Sequence, residues 1–306
     1  MKEQFLILFS TPLYILVISF EIVLSHLHVK RYYSLKDTLI NVYLCAVNSG
    51  IDLLFRMVYV VTLWWFYRFH FADISFNPFL YWPLLFISED VIFYLEHRVD
   101  HYCRLFWAVH VTHHSSDQFN LTTGFRSSVL QPLYRFIYFI PLVLLGFKPV
   151  DIVLMYSLTQ IYGILVHTRY IQKMPDWFEA VFVSPSHHRV HHASNTRYLD
   201  RNMGMVLIIW DRMFGTFQAE LTGDPIKYGL VKPLQNPHHL ANVIFHEFAN
   251  LKQDLKKDIP LLLKLKYLFM PPGWSHDGST KTASELRKEL LGEDTNRVPQ
   301  PSLVRG

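Results

Sequence analysis

Residues 90–116 read DVIFYLEHRVDHYCRLFWAVHVTHHSS. An apolar segment covering residues 79–95 runs directly into histidines at two helical spacings: His97 and His101 stand four apart, and His110, His113 and His114 form an H-x-x-H-H set. On a helix, residues three and four apart are neighbours with Cβ atoms about 5–6 Å apart, and from there two imidazole nitrogens can converge on a metal at about 2.0–2.1 Å. A second H-x-x-H-H set stands at His188, His191 and His192, with His187 just before it, and His167 closes another apolar segment. Ten of the seventeen histidines therefore fall between His97 and His192. The scattered ones (His26, His28, His70, His238, His239, His246 and His276) read as ordinary polar side chains; the clusters do not.

Outward from this stretch the chain is apolar in blocks. Residues 5–24 contain one acid, Glu21, and a run of that length at about 1.5 Å per residue matches the roughly 30 Å hydrocarbon core of a bilayer. It exceeds the roughly 7–15 residue apolar core of a signal peptide and reads as an uncleaved helix. Further blocks cover residues 38–69, 129–146 and 151–166, with Gly146 and Pro149 breaking the last two apart. The expected fold is all-α: a multi-pass membrane bundle of four to five membrane-embedded helices, capped by a cytoplasmic histidine-rich helical region. Lys30, Arg31 and Lys36 in the loop after the first block keep that loop, and the histidine-rich side, cytoplasmic. The organisation expected is membrane helices over residues 1–80, the catalytic histidine-box region over 81–220, interfacial helices over 221–275 and a polar tail over 276–306. Within these, residues 240–258 read as an amphipathic helix lying on the membrane surface or the catalytic core, and the tail holds one helix near 282–291.

Composition excludes other classes. Apolar residues make up 51% and charged residues 18% of the chain, which is too apolar for a disordered protein. The net charge of +4 comes without a basic stripe, so no nucleic acid is expected as a partner. Two cysteines, Cys45 and Cys103, cannot build a disulfide framework and read as reduced. Asn41, Cys45, Asn48, Asp52 and Arg56 fall on one face of the second block, where they either pack the bundle or line a cavity.

Ten histidines oversupply one metal ion, so two ions are implied. Imidazole suits zinc, copper, iron and nickel alike. The chain has neither the H-E-x-x-H of zinc proteases nor the Glu-x-x-His of soluble di-iron bundles, and a haem would use only one or two of these rings. Asp90 and Tyr94 share a helical face with His97 and His101, and Asn120, Asn195, Asp200 and Asn202 lie near the triads. Asp90, Tyr94, Asn120 and Asn202 in particular are candidates to receive the second ring N–H of a ligand or to orient it. A membrane metal transporter or sensor is the rival of another class, although its ligands are expected at mid-membrane depth within the spans.

The order H-x-x-x-H, H-x-x-H-H, H-x-x-H-H on a chain with several apolar blocks, led by Asp90-x-x-x-Tyr94-x-x-His97-Arg98, resembles the fatty acid hydroxylase and sterol desaturase superfamily of membrane di-iron enzymes. His113-His114-Ser115-Ser116, Asn120-Leu121-Thr122-Thr123, Ser184-Pro185-Ser186-His187-His188, Phe214-Gly215-Thr216-Phe217 and Pro272-Gly273-Trp274 are similar to its alkylglycerol monooxygenase branch, and the likeness covers residues 85–275. The resemblance implies two iron ions held by His97, His101, His110, His113, His114, His188, His191 and His192, with His167 and His187 as further members. It implies O2 as co-substrate, a lipid substrate drawn from the membrane, and an external reductant, tetrahydrobiopterin in the animal enzymes, or an electron-transfer partner. The reaction it implies is cleavage of a glycerolipid alkyl ether by hydroxylation next to the ether oxygen. Fatty acid, sterol or carotenoid hydroxylation or desaturation is the alternative, since those enzymes share the ligand pattern.

Overall fold

A computed structural model describes residues 2–72, 74 and 77–297. Among them there is no strand; the chain is built from α1 (Lys2–Leu27), α2 (Leu35–Tyr67), α3 (Pro78–Tyr102), α4 (Arg104–His114), α5 (Ile140–Leu144), α6 (Pro149–Leu165), α7 (Asp176–Val181), α8 (Pro185–His191), α9 (Ile209–Phe214), α10 (Leu240–Leu255), α11 (Leu261–Phe269) and α12 (Ala283–Arg297). Two of these, α2 and α3, are long and apolar enough to cross a membrane, and shorter apolar helices cover Thr11–Leu27, Arg135–Leu144 and Pro149–Leu165. Leu54, Met57, Val58 and Val61 of α2 are exposed, as befits a helix whose outer face meets lipid.

Local chemistry sets the ends that matter. The side chain of Asn77 accepts a hydrogen bond from Phe79 N (3.0 Å) and Pro78 occupies the first turn, so α3 starts there. At Cys103 the backbone turns extended and α4 follows at once. The histidine-bearing end of α3 is thereby folded onto α4. In α8, Ser184 Oγ accepts from His187 N (3.3 Å) while His187 Nδ1 accepts from Ser184 N (3.3 Å), a reciprocal cap with Pro185 inside it.

The block at residues 129–146 departs from the expected continuous helix. It forms single turns at Gln131–Leu133 and Arg135–Phe139 before the short α5. Pro132 and Pro141 each remove a backbone donor, and the turns let Gln131 and Arg135 reach inward to Glu96. The amphipathic segment expected at 240–258 is α10, which packs on α4 and buries Val243 and Leu251. Arg104 of α4 ties it down, bonding Glu247 at 2.8 Å and Asp254 at 2.6 Å. The tail helix, α12, runs to Arg297 and reaches back through Arg287 to the carbonyl of Leu199. Both cysteines are free. An apolar core that includes Leu63, Leu85, Leu142 and Ile152 joins α2, α3, α5 and α6.

Candidate metal centre

Nine imidazoles meet at the junction of α3, α4, α8 and the end of α6. They form two groups that could each hold a metal ion: His97, His101, His110, His114 and His191 in one, His113, His167, His188 and His192 in the other, with the ligand atoms of each group within 4.8 Å of one another. Helix α4 supplies both groups, and so does the α8 segment, so the two clusters are neighbours. His113 and His192 have ring centroids 4.5 Å apart, as do His114 and His192.

The ring nitrogens show what the clusters lack. His97 Nδ1 donates to the Met203 carbonyl (2.8 Å), His113 Nδ1 to Arg126 (3.2 Å), His167 Nδ1 to Gly163 (2.7 Å) and His191 Nδ1 to Arg201 (3.0 Å). With the proton on Nδ1, each Nε2 is left as a lone pair aimed at the centre. His97 Nε2 and His114 Nε2 lie 3.1 and 3.2 Å from His110 Nε2, and His167 Nε2 lies 2.9 Å from His188 Nε2. His101 Nε2, His191 Nε2 and His192 Nε2 are buried without a hydrogen-bond partner. Buried acceptors facing acceptors are costly unless a cation lies among them, and bound cations satisfy this pattern. The donor set therefore fits two imidazole-ligated metal ions, iron among the metals it suits.

Electrostatics agree. Burial holds His113 down at about 4 and His167 at about 3, and it pushes His110, His114, His188, His191 and His192 well below the ordinary imidazole range, with neighbouring rings adding to the effect. Neutral imidazole is the form that binds metal.

The groups behind the rings are only partly those singled out in the sequence. His101 Nδ1 meets Asp200 Oδ1 at 3.1 Å, and His110 Nδ1 lies 3.6 Å from Asp100 Oδ2. Asp200 and Asn202 adopt left-handed backbone (φ 51° and 55°), a strained conformation that Asp and Asn tolerate best. Asp90 does not reach a ring. It accepts from Val206 N, Leu207 N and Trp210 Nε1 and so pins the loop whose Met203 carbonyl holds His97. Tyr94 bonds Thr216, which donates to Asp211, and Asp211 in turn accepts from Met203 N and Gly204 N. Asn120 caps the turn Leu121–Phe125 and donates to the Tyr32 carbonyl. Asn202 clamps the His187 and Gln218 carbonyls. All four support the frame one step further out than expected.

His187 lies outside both clusters. Its ring caps α8, sits 3.8 Å from Glu179 Oε2 and packs on Phe217. Two residues with no motif to single them out stand closer. Fully buried Arg126 bonds Asp37 and Asn41 of α2 while its own carbonyl holds His113, and Gly124 lies so close beneath His167 that a Cβ there would come 3.2 Å from its Nδ1.

A cavity of about 970 Å³ opens from His97, His110, His113, His167 and His188 and runs between α1, α2 and α6. Its walls are mainly apolar, with Ile15, Ile18, Leu53, Phe93, Phe136 and Phe139 among them. Of the polar stripe on α2, Cys45, Asn48, Asp52 and Arg56 line it, whereas Asn41 is internal and bonds Asp37 and Thr122. The stripe thus serves both as packing and as cavity wall.

Comparison with known proteins agrees with this geometry. Residues 82–216 match the fatty acid hydroxylase family model. The chain is 32% identical to the alkylglycerol monooxygenase of Danio rerio over 87% of its length and 59% of the relative's. It is 31% identical to that of Homo sapiens over 93% and 63%, and 36% identical to that of Caenorhabditis elegans over 63% and 39%. The chain thus spans 59% and 63% of the length of the first two relatives. No solved structure matches it.

Proposed function

We propose that the protein is an integral membrane di-iron monooxygenase that cleaves the alkyl ether bond of glycerolipids with O2. The observation that carries this reading is the meeting of nine imidazoles, eight of them buried, at the end of an apolar-walled cavity. The match to the fatty acid hydroxylase family and the alkylglycerol monooxygenases that the chain resembles support the choice of iron and of lipid.

Iron bound in the two clusters would supply O2 activation, so that one oxygen atom enters a C–H bond and the other leaves as water with two electrons and two protons from an external reductant. The chain's own residues do the rest. The Nδ1 contacts at His97, His113, His167 and His191 fix the ring orientations. Apolar walls hold an alkyl tail and keep bulk water from the reacting carbon. Hydroxylation of the carbon next to the ether oxygen yields a hemiacetal, which collapses to a fatty aldehyde and the free glycerol hydroxyl.

The basic loop after α1 supports a cytoplasmic orientation of the site. Tyr32 of that loop is bonded by Asn120 and covered by the Arg169 guanidinium, 4.3 Å from its ring, so Lys30 and Arg31 lie on the same side as the clusters. That side is then cytoplasmic, where tetrahydrobiopterin or a carrier protein can deliver electrons.

Purified protein in nanodiscs, given iron, O2, a reduced pterin and 1-O-hexadecylglycerol, is expected to release hexadecanal. A retained-chain alcohol or alkene would favour a hydroxylase or desaturase instead. Metal uptake into vesicles without O2 consumption would favour a transporter.

A further inference from the structure

An ether-cleaving reaction places the reacting carbon one atom from the ether oxygen, so the polar head group follows it immediately and must lie beside the metal centre. The cavity wall next to the first cluster carries polar groups that an alkyl tail does not need. Glu96, adjacent to His97, is only 1% exposed. Its Oε1 accepts from Gln131 Nε2 at 3.2 Å and from Arg135 Nε at 2.9 Å, while Oε2 is buried with no partner. Gln131 Nε2 also donates to Asp100 Oδ2 at 2.8 Å, the same oxygen that lies 3.6 Å from His110 Nδ1. Glu96, Asp100, Gln131 and Arg135 all line the cavity together with His97 and His110. A carboxyl oxygen left buried without a donor is costly, and the place of Glu96 in the cavity wall points to a donor that arrives with a ligand.

We propose that Glu96, steadied by Gln131 and Arg135, anchors the head group of the lipid by accepting a hydrogen bond at Oε2 from a donor-bearing head, either the hydroxyls of a glycerol or an ammonium. This assignment rests on the lipid-oxidising reading above and names the residues that select the substrate's polar end. Charge narrows the class. Arg135 is committed to Glu96, Arg56 is paired with Asp52 at 2.6 Å, and Asp100 adds a further carboxyl. In the metal-free protein a phosphate monoester therefore meets the acceptor oxygens of Glu96 and Asp100, with Arg135 and Arg56 already engaged by carboxyl groups. The tail extends the other way, along Ile15, Ile18 and Phe139.

The test uses the full chain, metal-free, in nanodiscs, with displacement of an environment-sensitive fluorescent fatty probe by hexadecane-1,2-diol, hexadecylammonium or hexadecyl phosphate. At least one of the two donor-bearing ligands is expected to bind about tenfold or more tightly than the phosphate, and whichever binds better identifies hydroxyl or ammonium as the preferred donor. Glu96→Gln, which keeps an acceptor for Arg135 but turns an N–H₂ toward the ligand, should weaken the preferred donor about tenfold and leave the phosphate unchanged or tighter. Equal binding of all three by the wild type overturns the assignment, as does a Glu96→Gln variant that keeps the wild-type preference. If that variant does not fold, the wild-type order decides. Hexadecanal release by iron-loaded enzyme without head-group selectivity sinks the anchor alone; selective binding with no aldehyde sinks the ether-cleavage reading alone.

Discussion

The two histidine clusters are built from the same helices yet differ in what stands behind them. The first has five rings and two carboxyl neighbours, Asp200 at His101 and Asp100 near His110. The second has four rings; behind them are the carbonyls of Arg126 and Gly163 and the face of Phe119, whose ring lies 5.5 Å from that of His167 and 5.2 Å from that of His192. The helices divide their ligands by a common rule. Residues four apart (His97 and His101, His110 and His114, His188 and His192) go to one cluster, and the residue three along (His113, His191) goes to the other. At about 100° per residue, positions i+3 and i+4 diverge to either side of position i, so an H-x-x-H-H set on a helix between two metals serves both. The triad is a bridge rather than a three-ligand unit.

The strongest way to break this comparison is to remove one bridging ring from each side. His191→Ala should cost the first cluster its ion and His113→Ala the second, each by more than about 100-fold in affinity, since even outer partners of metal ligands are worth 10–100-fold. Elemental analysis of iron-loaded protein should then fall from two ions per chain to one, and turnover should drop to background. If either variant retains two ions and full activity, the division into clusters is wrong.

Acidification compares the clusters through protons. In the metal-free protein His113 sits at about 4 and His167 at about 3, chiefly from burial, whereas an unfolded histidine takes its proton near 6.5. Because the folded values are lowered, the unfolded chain binds more protons on acidification. The stabilisation is complete above about pH 6.5 and is lost as pH falls through 6.5 toward the folded values. At pH 5 these two rings should each cost about 2 kcal/mol, seen as a lower midpoint of thermal unfolding than at pH 7.5. Bound metal should oppose the loss, and an unchanged midpoint in the metal-free protein would contradict the burial of the second cluster.

Asp200→Asn sharpens the contrast at lower cost. It removes the carboxylate from His101 while keeping an acceptor and a residue that tolerates left-handed backbone. Metal affinity at the first cluster should fall about 10–100-fold with the second unaffected, so titration with iron should show one binding step weakened by that factor and the other unchanged. Equal weakening of both sites would mean that Asp200 acts on the frame as a whole.

How far the sequence reveals this centre depends on the kind of signal. Spacing on a helix is local, so the imidazole sets and their helical setting are readable from His97 to His192. The apolar blocks locate α1, α2, α3 and α6 for the same reason. The block at 129–146 misleads because hydropathy does not register that Gln131 and Arg135 turn inward to partners more than thirty positions away. Glu96 and Asp100 look like the polar edge of a helix until those partners close over them. Arg126 is one more basic residue until its carbonyl meets His113. Asp90 and Tyr94 have the right helical face but point past the rings to the loop at 203–216, a placement that only the tertiary packing decides.

The smallest expected effect belongs to the histidine that adjacency made a candidate ligand. His187 precedes His188 in the chain, but at about 100° per residue its ring turns away from the two clusters toward Ser184 and Glu179. Its hydrogen bond with Ser184 N closes one arm of the cap that starts α8, the helix that delivers His188 and His191. His187→Ala should therefore leave two ions bound and cost about 1 kcal/mol of stability through the lost cap contact. Any loss of turnover should track the lower unfolding midpoint and be relieved by assay at lower temperature. A drop in metal content to one ion in this variant, with the fold intact, would instead move His187 into the second cluster and give both clusters five rings.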